Sequence, residues 1–210
     1  MSELVLFDFE LDDNCYKVRL LLSILGLSYR KEAVNMFPGA EHTKPALLAL
    51  NPRGSLPILT EGDVVLSEAE AILCYLARAH DARGIWLPQD AKRFGETAMW
   101  LQFAIRDLDA AWLARRHAML DEPADAATLG IAVRRAFRLM EDHMTHREFD
   151  DASWFVGDAP TLADLALFPA IALSRDFGID HEAYPALRRW MRRVRTISGF
   201  LTMPGIPDYH

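Results

Sequence analysis

The sequence predicts an α/β domain followed by an all-helical domain, with a short linker between them. Up to His80, short apolar runs with the length of buried strands alternate with segments of helical periodicity. After His80 every periodic segment is helical, and residues 81–91 contain the Gly84 and Pro88 expected of a linker. We therefore predict an α/β domain over residues 1–80, a linker over 81–91 and an all-helical domain over 92–210.

The first domain is predicted to contain a strand, a helix, a strand, a hairpin and a final helix. Its first helix is marked by Val18, Leu21 and Leu25 at helical spacing and is ended by Gly26. In chain order we predict a strand at 4–9, a helix at 16–25, a strand at 29–34, a short helix at 42–50, a strand from 58, a turn at 61–63, a strand at 64–66 and a helix from 67 or 68.

The second domain is predicted to contain four helices and an irregular tail. The helices span 92–119, 126–149, 162–177 and 185–197, and the tail spans 203–210. Thr161 and Asp164 have the spacing of an N-cap residue and its N3 partner, which predicts a capping box at the start of the third helix.

Composition and charge are those of an ordinary soluble globular protein. The 210 residues are 51% apolar and 25% charged, and the net charge of −7 argues against a general polyanion-binding role. Arginines crowd residues 188–195, but apolar residues at helical spacing form the opposite face. This pattern favours a solvated face of an amphipathic helix over a nucleic-acid site.

Cysteines and histidines give no sign of a disulfide or metal site. Cys15 and Cys74 form neither a disulfide framework nor a C-x-x-C pair, and His143 and His146 have no third partner for a metal. The N-terminal residues do not show the basic and then apolar pattern of a signal peptide, so we expect none, and no apolar run approaches the ~20 residues of a membrane span. We therefore expect a cytoplasmic protein with no metal and no membrane partner.

Residues 51–77 carry the strongest functional signal. Pro57 stands at the head of an apolar run that reads as a strand, and proline cannot donate a ladder hydrogen bond. Neighbouring backbone groups are then left to pair with a peptide-like ligand. A helix begins shortly afterwards near Glu68, where free amides attract an anion and the carboxylate attracts an ammonium group. This combination suits the zwitterionic end of a small peptide; the alternative is a plain hairpin before a well-capped helix.

The same segment resembles the glutathione-binding half of the cytosolic glutathione transferase family. The family's pattern runs N-P-x-G, an apolar residue, a cis proline, a strand pair, Glu-Ser-x-Ala-Ile and a helix ending in Tyr-Leu. The matching residues here are Asn51, Pro52, Gly54, Leu56, Pro57, Glu68, Ala71, Ile72, Tyr75 and Leu76. Ala69 departs from it, because the family usually has serine there. The domain order and the capping box also resemble the family, so the resemblance covers essentially the whole chain. It implies a thioredoxin-like first domain, a helical-bundle second domain, a homodimer and glutathione as co-substrate.

A second motif lies where the first helix begins. Bacterial members of the family often read Ser-Gly-Asn-Cys-Tyr-Lys-Val-Arg, and this chain reads Asp-Asp-Asn-Cys-Tyr-Lys-Val-Arg over 12–19. The serine that would donate to the glutathione sulfur corresponds to Asp12, whose charge opposes a neighbouring thiolate. Asn14 is then the preferred group for stabilising the sulfur, unless it serves only as a helix cap, and Asp12 and Asp13 are most simply capping carboxylates. Cys15 is a candidate for a mixed disulfide with glutathione, the alternative being a small buried side chain.

The resemblance also implies ligand-binding residues. The backbone of Leu56, beside Pro57, would pair with the cysteinyl part of glutathione. Glu68 would meet its ammonium group and the Ala69 amide its α-carboxylate. Lys44 is a candidate partner for the glycine carboxylate, with a solvated surface lysine as the alternative. The co-substrate would lie between the domains, where the predicted pocket residues, unless they belong to the core, are Trp100, Phe103, Arg106, Asp107 and Trp112.

These assignments predict an enzyme resembling the glutathione transferases. The thiolate of glutathione, held near Asn14, would attack a small electrophile or reduce a disulfide or peroxide. The alternative, from a different functional class, is a non-catalytic interaction module that keeps the fold. Asp12 and Ala69 are the two features that favour this alternative, because each removes a side-chain donor usual in the family.

Overall fold

The computed structural model describes residues 2–208 and places a four-stranded mixed sheet in the first part of the chain. The strands are β1 (Leu4–Asp8), β2 (Arg30–Ala33), β3 (Ile58–Glu61) and β4 (Val64–Ser67), in the spatial order β2-β1-β3-β4. β1 runs parallel to β2 and antiparallel to β3, with Leu6 opposite Leu59. β3 and β4 form the predicted hairpin through a turn at Gly62.

Three helices complete the first domain: α1 (Asp13–Ile24), α2 (Pro45–Leu50) and α3 (Ala69–His80). α1 and α3 pack against each other and bury an apolar face that includes Leu21, Ile72 and Leu73. The helix predicted at 42–50 is a 3-10 turn at Glu41–Thr43 followed by α2, because Pro45 begins a new helix at its first position. The arrangement is the predicted thioredoxin-like α/β domain.

The later part of the described chain is helical, with α4 (Ala91–Arg106), α5 (Asp109–Leu120), α6 (Ala126–Phe149), α7 (Leu162–Ala172) and α8 (Pro185–Arg195). The prediction of one helix over 92–119 is wrong, because the chain bends at Asp107 and Leu108. Both of their amides bond the carbonyl of Phe103. The bend lets α4 pack against α7 while α5 packs against α6 and lies over the start of α1.

The helical domain is organised around α7, whose residues are all buried. The predicted capping box is confirmed at its start. The Asp164 carboxylate accepts the Thr161 amide at 2.9 Å, and the Thr161 hydroxyl accepts the Ala163 amide at 3.3 Å. Asp164 also accepts the indole N–H of Trp190 at 2.8 Å, which joins α7 to α8.

α8 is the predicted amphipathic helix. Leu187, Trp190 and Val194 are buried on one face. On the other face, Arg189 and Arg193 both pair with a glutamate of α6, Glu148. Most of this arginine charge is therefore already matched within the molecule.

The C-terminal tail crosses back to the first domain. The Tyr16 hydroxyl on α1 donates to the carbonyl of Leu201 at 2.5 Å. Residues 201–208 form neither helix nor strand, as predicted for the tail, and Tyr209 and His210 lie outside the described residues. Between residues 2 and 208 no helix has the length and apolar character needed to cross a membrane.

Candidate functional site

Asp12 stands at the start of α1 and joins the two domains. Its backbone is extended, and its Oδ1 accepts the amide of Cys15 at 2.9 Å, so it is the N-cap residue of α1. Its Oδ2 accepts the indole Nε1–H of Trp112, on α5, at 3.0 Å. Only 5% of the residue is exposed, so both bonds are largely shielded from water. Asp12 is a capping carboxylate, and it also fixes α5 over the start of α1.

Asp13 and Asn14 are the first two residues of α1. Asp13 is buried, and burial together with the neighbouring Asp12 charge raises the pKa of its carboxyl to about 6, although Lys17 and Arg115 act in the opposite direction. Asn14 is half-buried, and its Oδ1 accepts a hydrogen bond from Lys17 Nζ at 2.8 Å. That bond fixes which end of the Asn14 amide points at the lysine and leaves the Nδ2–H group on the other side.

Lys17 places a buried positive charge between α1 and α3. Its Nζ also donates to Glu70 Oε1 at 2.8 Å, and both side chains are less than 10% exposed. Burial opposes the charge, but the carboxylates of Glu70 and Asp13 outweigh it and raise the pKa of Lys17. Lys17 is therefore protonated at neutral pH, and the ion pair ties the first turn of α3 to α1.

The start of α3 has no side-chain cap. Glu68, in the N-cap position, has a φ of 72°, a left-handed conformation that is costly for a residue with a side chain. The first amides of α3 are thus left for a ligand. The Glu68 carboxylate pairs with Arg53 at 2.7 Å on the surface. The methyl group of Ala69 is buried in the main core cluster where the resemblance has serine.

A polar cavity of about 110 Å³ lies between the starts of α1 and α3. The first domain contributes Asp13, Asn14, Lys17, Glu68 and Glu70 to its wall, and α5 contributes Asp109 and Trp112. A smaller cavity of about 20 Å³, lined in part by Phe9, Arg115 and Met119, lies on the other side of Trp112. Asp13 and Trp112 line both cavities, so they form the partition between the polar space and the more apolar one.

Cys15 lies outside this polar space. Its side chain is fully buried in a small cluster with Val34 and Ile58, and its Sγ accepts the amide of Phe9 at 3.4 Å. Burial, and then the charges of Asp12 and Asp8, raise the pKa of this thiol well above its ordinary value. The structure places Cys15 in the buried role that was its alternative, because a protonated thiol out of reach of solvent is a poor partner for a mixed disulfide.

The other predicted glutathione contacts, Leu56, Pro57 and Lys44, do not line the polar cavity. The Leu56–Pro57 peptide is cis and immediately precedes β3. Lys44 is exposed, pairs with Glu41 at 2.7 Å and does not line the polar cavity. Its position fits the solvated-lysine alternative.

The predicted co-substrate residues do not come together. Trp112 lines the cavities beside Asn14, whereas Trp100, Phe103 and Arg106 line a separate groove between α4 and α6. Trp100 packs there on Phe155, with ring centroids 4.8 Å apart. Arg106 pairs with Asp107 at the bend. The periodicity of α4 explains the separation, because Ala104 and Ile105 occupy the face of that helix toward the polar cavity.

Sequence reasoning missed four charged residues of the site: Lys17, Glu70, Asp109 and Arg115. Two signals were available. Lys17 lies one helical turn after Asn14, and Asp109 lies three residues before Trp112, spacings that place each pair on one helix face. Arg115 gave no such signal. It donates to Asp176 at 2.7 Å and also to the Leu11 carbonyl, contacts that depend on tertiary packing.

Two family models match most of this chain. The glutathione S-transferase N-terminal domain matches residues 14–79, and the glutathione S-transferase C-terminal domain matches residues 109–197. The chain belongs to the glutathione S-transferase family. Both matched segments include site residues, Asn14 to Glu70 in the first and Asp109 to Arg115 in the second.

Individual relatives agree with this assignment. The chain is 30% identical over 191 residues to maleylacetoacetate isomerase from Pseudomonas aeruginosa, and the match covers 88% of this chain and 87% of the relative. It is 28% identical over 186 residues to the glutathione S-transferase GstB of Escherichia coli, covering 86% and 88%. A solved glutathione S-transferase from Pseudomonas fluorescens superimposes with a TM-score of 0.86 at 26% identity, covering 97% of this chain and all of that one. The function of the chain is accordingly glutathione-transferase-like.

Proposed function

We propose that this protein binds glutathione in the polar cavity and that the glutathione thiolate attacks a small electrophile to form a conjugate, or reduces a disulfide or peroxide. One observation carries the proposal: the uncapped start of α3 and the start of α1 line the same cavity. Both are sites where free amides and the helix dipole favour negative charge. Glutathione offers two such charges at a suitable separation, an α-carboxylate at one end and a thiolate in the middle.

The γ-glutamyl end of glutathione would bind at α3. The first amides of α3, starting with Ala69, receive the α-carboxylate, and Glu68 exchanges its surface partner Arg53 for the ligand's ammonium group. The backbone of Leu56, next to Pro57, pairs with the cysteinyl part of the ligand. The exposed Lys44 remains a candidate for the glycine carboxylate.

The sulfur would lie at the start of α1. Lys17 holds Asn14 Oδ1, so the Nδ2–H group is the end available to donate to a thiolate. Lys17 itself adds a fixed positive charge behind Asn14. Trp112, on α5, separates this position from the smaller cavity and is placed to contact the electrophile.

Isothermal titration with glutathione tests the binding site. We expect the wild-type protein to bind, and Ala69→Ser to bind about tenfold more tightly or better, since one added hydrogen bond to a charged group contributes roughly 1.5–3 kcal/mol. Ala71→Ser is the matched control, because it adds the same hydroxyl to an exposed position of the same helix turn. No binding by wild type or Ala69→Ser at millimolar glutathione would refute the proposal.

Turnover assays then separate the reaction types. A chlorodinitrobenzene-type electrophile reports conjugation, and an organic peroxide and a mixed disulfide report reduction. Maleylacetoacetate belongs in the panel because relatives at 30% identity are isomerases of that compound by name. Binding of glutathione without turnover of any of these would favour the non-catalytic interaction module.

We further propose that the protein acts as a cytoplasmic homodimer. Met99 on α4 and Leu139 on α6 are exposed and line one groove, and Ile131 is exposed further along α6. Exposed apolar side chains on neighbouring helices favour association. Sedimentation velocity is expected to give twice the chain mass. Ile131→Lys together with Leu139→Lys is expected to shift the protein to the monomer, and a monomeric wild type would refute this.

A further inference from the structure

Asp13 is a buried carboxylate that the proposed binding of glutathione leaves unused. Asp13 is only 5% exposed, yet its side chain makes no hydrogen bond to any other residue between 2 and 208. It lines the polar cavity beside Asn14 and the smaller cavity beside Trp112. The bacterial motif that the helix start resembles has glycine at this position, where this chain has the carboxylate.

We propose that Asp13 accepts the thiol proton of bound glutathione. The proposal rests on the proposed function, because it requires the glutathione sulfur to lie beside Asn14. In this step the S–H bond of the thiol breaks and an O–H bond to the Asp13 carboxylate forms. The electron pair stays on sulfur, and the resulting thiolate attacks the electrophile. The proton passes to the leaving group or to water, which returns Asp13 to its ionised form.

Charge balance explains why this site needs an internal acceptor. Releasing the thiol proton to solvent would add a negative charge beside two carboxylates, Asp12 and Asp13, and each opposes it. Passing the proton to Asp13 moves a negative charge from oxygen to sulfur and leaves the total charge of the site unchanged. The charge of Asp12 therefore repels one negative charge before the transfer, on Asp13, and one after it, on the sulfur.

The charged groups that face Asp13 set the proton affinity of its carboxylate. On α1 these are Asp12 and Lys17, on α5 they are Asp109 and Arg115, and on α3 the cavity wall adds Glu70. Burial and Asp12 raise the pKa of Asp13 to about 6, so the free protein carries the ionised form at neutral pH. A carboxylate whose pKa lies near the working pH is suited to accept a proton and give it back.

Glutathione titrations of wild type and Asp13→Asn provide the test. Two readouts are taken: the ultraviolet absorbance of the bound thiolate, and the protons exchanged with buffer, from calorimetry in two buffers of different ionisation enthalpy. Wild type at neutral pH is expected to form thiolate with little proton release. Asp13→Asn is expected to bind glutathione and to release the thiol proton to buffer wherever its bound thiolate forms, because the variant has no carboxylate beside Asn14 to accept that proton.

Controls separate this role from a structural one. S-methylglutathione has no thiol proton, so its binding should show the same proton exchange in wild type and variant. Asp63→Asn changes the net charge equally in the exposed β3–β4 turn and should behave as wild type. Asp13→Gly, the residue of the resembling motif, gives a second variant should Asp13→Asn fold poorly.

Two results would overturn the proposal. One is a proton release in Asp13→Asn and Asp13→Gly equal to that of wild type when bound glutathione forms thiolate. The other is release of a full proton to buffer when wild type binds. In both cases glutathione still binds, so the proposed function survives. Failure of wild type to bind glutathione would overturn both proposals.

Discussion

The hydrogen bond between Trp112 and Asp12 is predicted to stabilise the folded protein by about 1.5–3 kcal/mol, the range for a bond to a charged group. The indole Nε1–H donates to Asp12 Oδ2 at 3.0 Å, and the carboxylate is 5% exposed. It is a side-chain contact between α5 and the start of α1, so its loss would loosen the helical domain over the site.

A double-mutant cycle isolates this bond. Trp112→Phe removes the donor but keeps an aromatic ring, and Asp12→Ser keeps a capping oxygen for the Cys15 amide while being too short to reach α5. Each single change should cost about 1.5–3 kcal/mol. The double variant should lose much less than the sum, because the two residues serve one interaction.

Urea unfolding followed by circular dichroism measures each free energy in the cycle. Trp190→Phe is the matched control, since its buried indole makes the equivalent bond to Asp164 at 2.8 Å, in the helical domain and away from Asp12. Its loss should add to that of Asp12→Ser. A coupling energy between Trp112 and Asp12 below about 0.5 kcal/mol, the usual scatter of additive sites, would refute the reasoning.

Two further predictions concern buried charge. Lys17→Met should lower the free energy of unfolding in urea by about 3–5 kcal/mol, because it leaves Glu70 buried without its partner. Adding Glu70→Leu should recover most of this loss, and an equal loss in the single and double variants would contradict the prediction. Burial, and then the charge of Arg175, lower the pKa of His181 to about 4 from 6.5. The unfolded chain therefore binds more protons between these values, so stability should fall as pH drops through this window, by up to about 3 kcal/mol. His181→Gln, which keeps a partner for Ser174, should show a shallower pH dependence than wild type; an equally steep profile would contradict the assignment.

Elements that begin or end at a clear capping or turn residue could be predicted closely from the sequence. The helix predicted at 126–149 has those bounds in α6, where Asp125 caps the first turn by accepting two amides. The capping box at Thr161 and the hairpin after Pro57 are also as predicted. The bend at Asp107 was missed because it contains neither glycine nor proline, and the apolar periodicity continues through it.

Residues of the site could be predicted from the sequence only where they lie within one continuous segment. Asp12 and Ala69 were identified as departures because they fall inside local motifs. The bond from Asp12 to Trp112 joins residues 100 positions apart and depends on how α5 lies over α1, which no local pattern contains. The same limit explains why Trp100 and Phe103 were grouped with Trp112: an unbroken helix would have placed them along one side of the cleft.

Charge pairing distinguishes Asp13 from the other acidic residues near the start of α1. A buried carboxylate without a partner is costly. Here Asp12 has two hydrogen bonds, Glu70 has Lys17 and Asp176 has Arg115. Among the buried carboxylates that line the two cavities in residues 2–208, Asp13 has no side-chain hydrogen bond to another residue and no ion pair. A buried carboxylate without such a partner, at the junction of the cavities, is what the proposed proton transfer from glutathione to Asp13 requires.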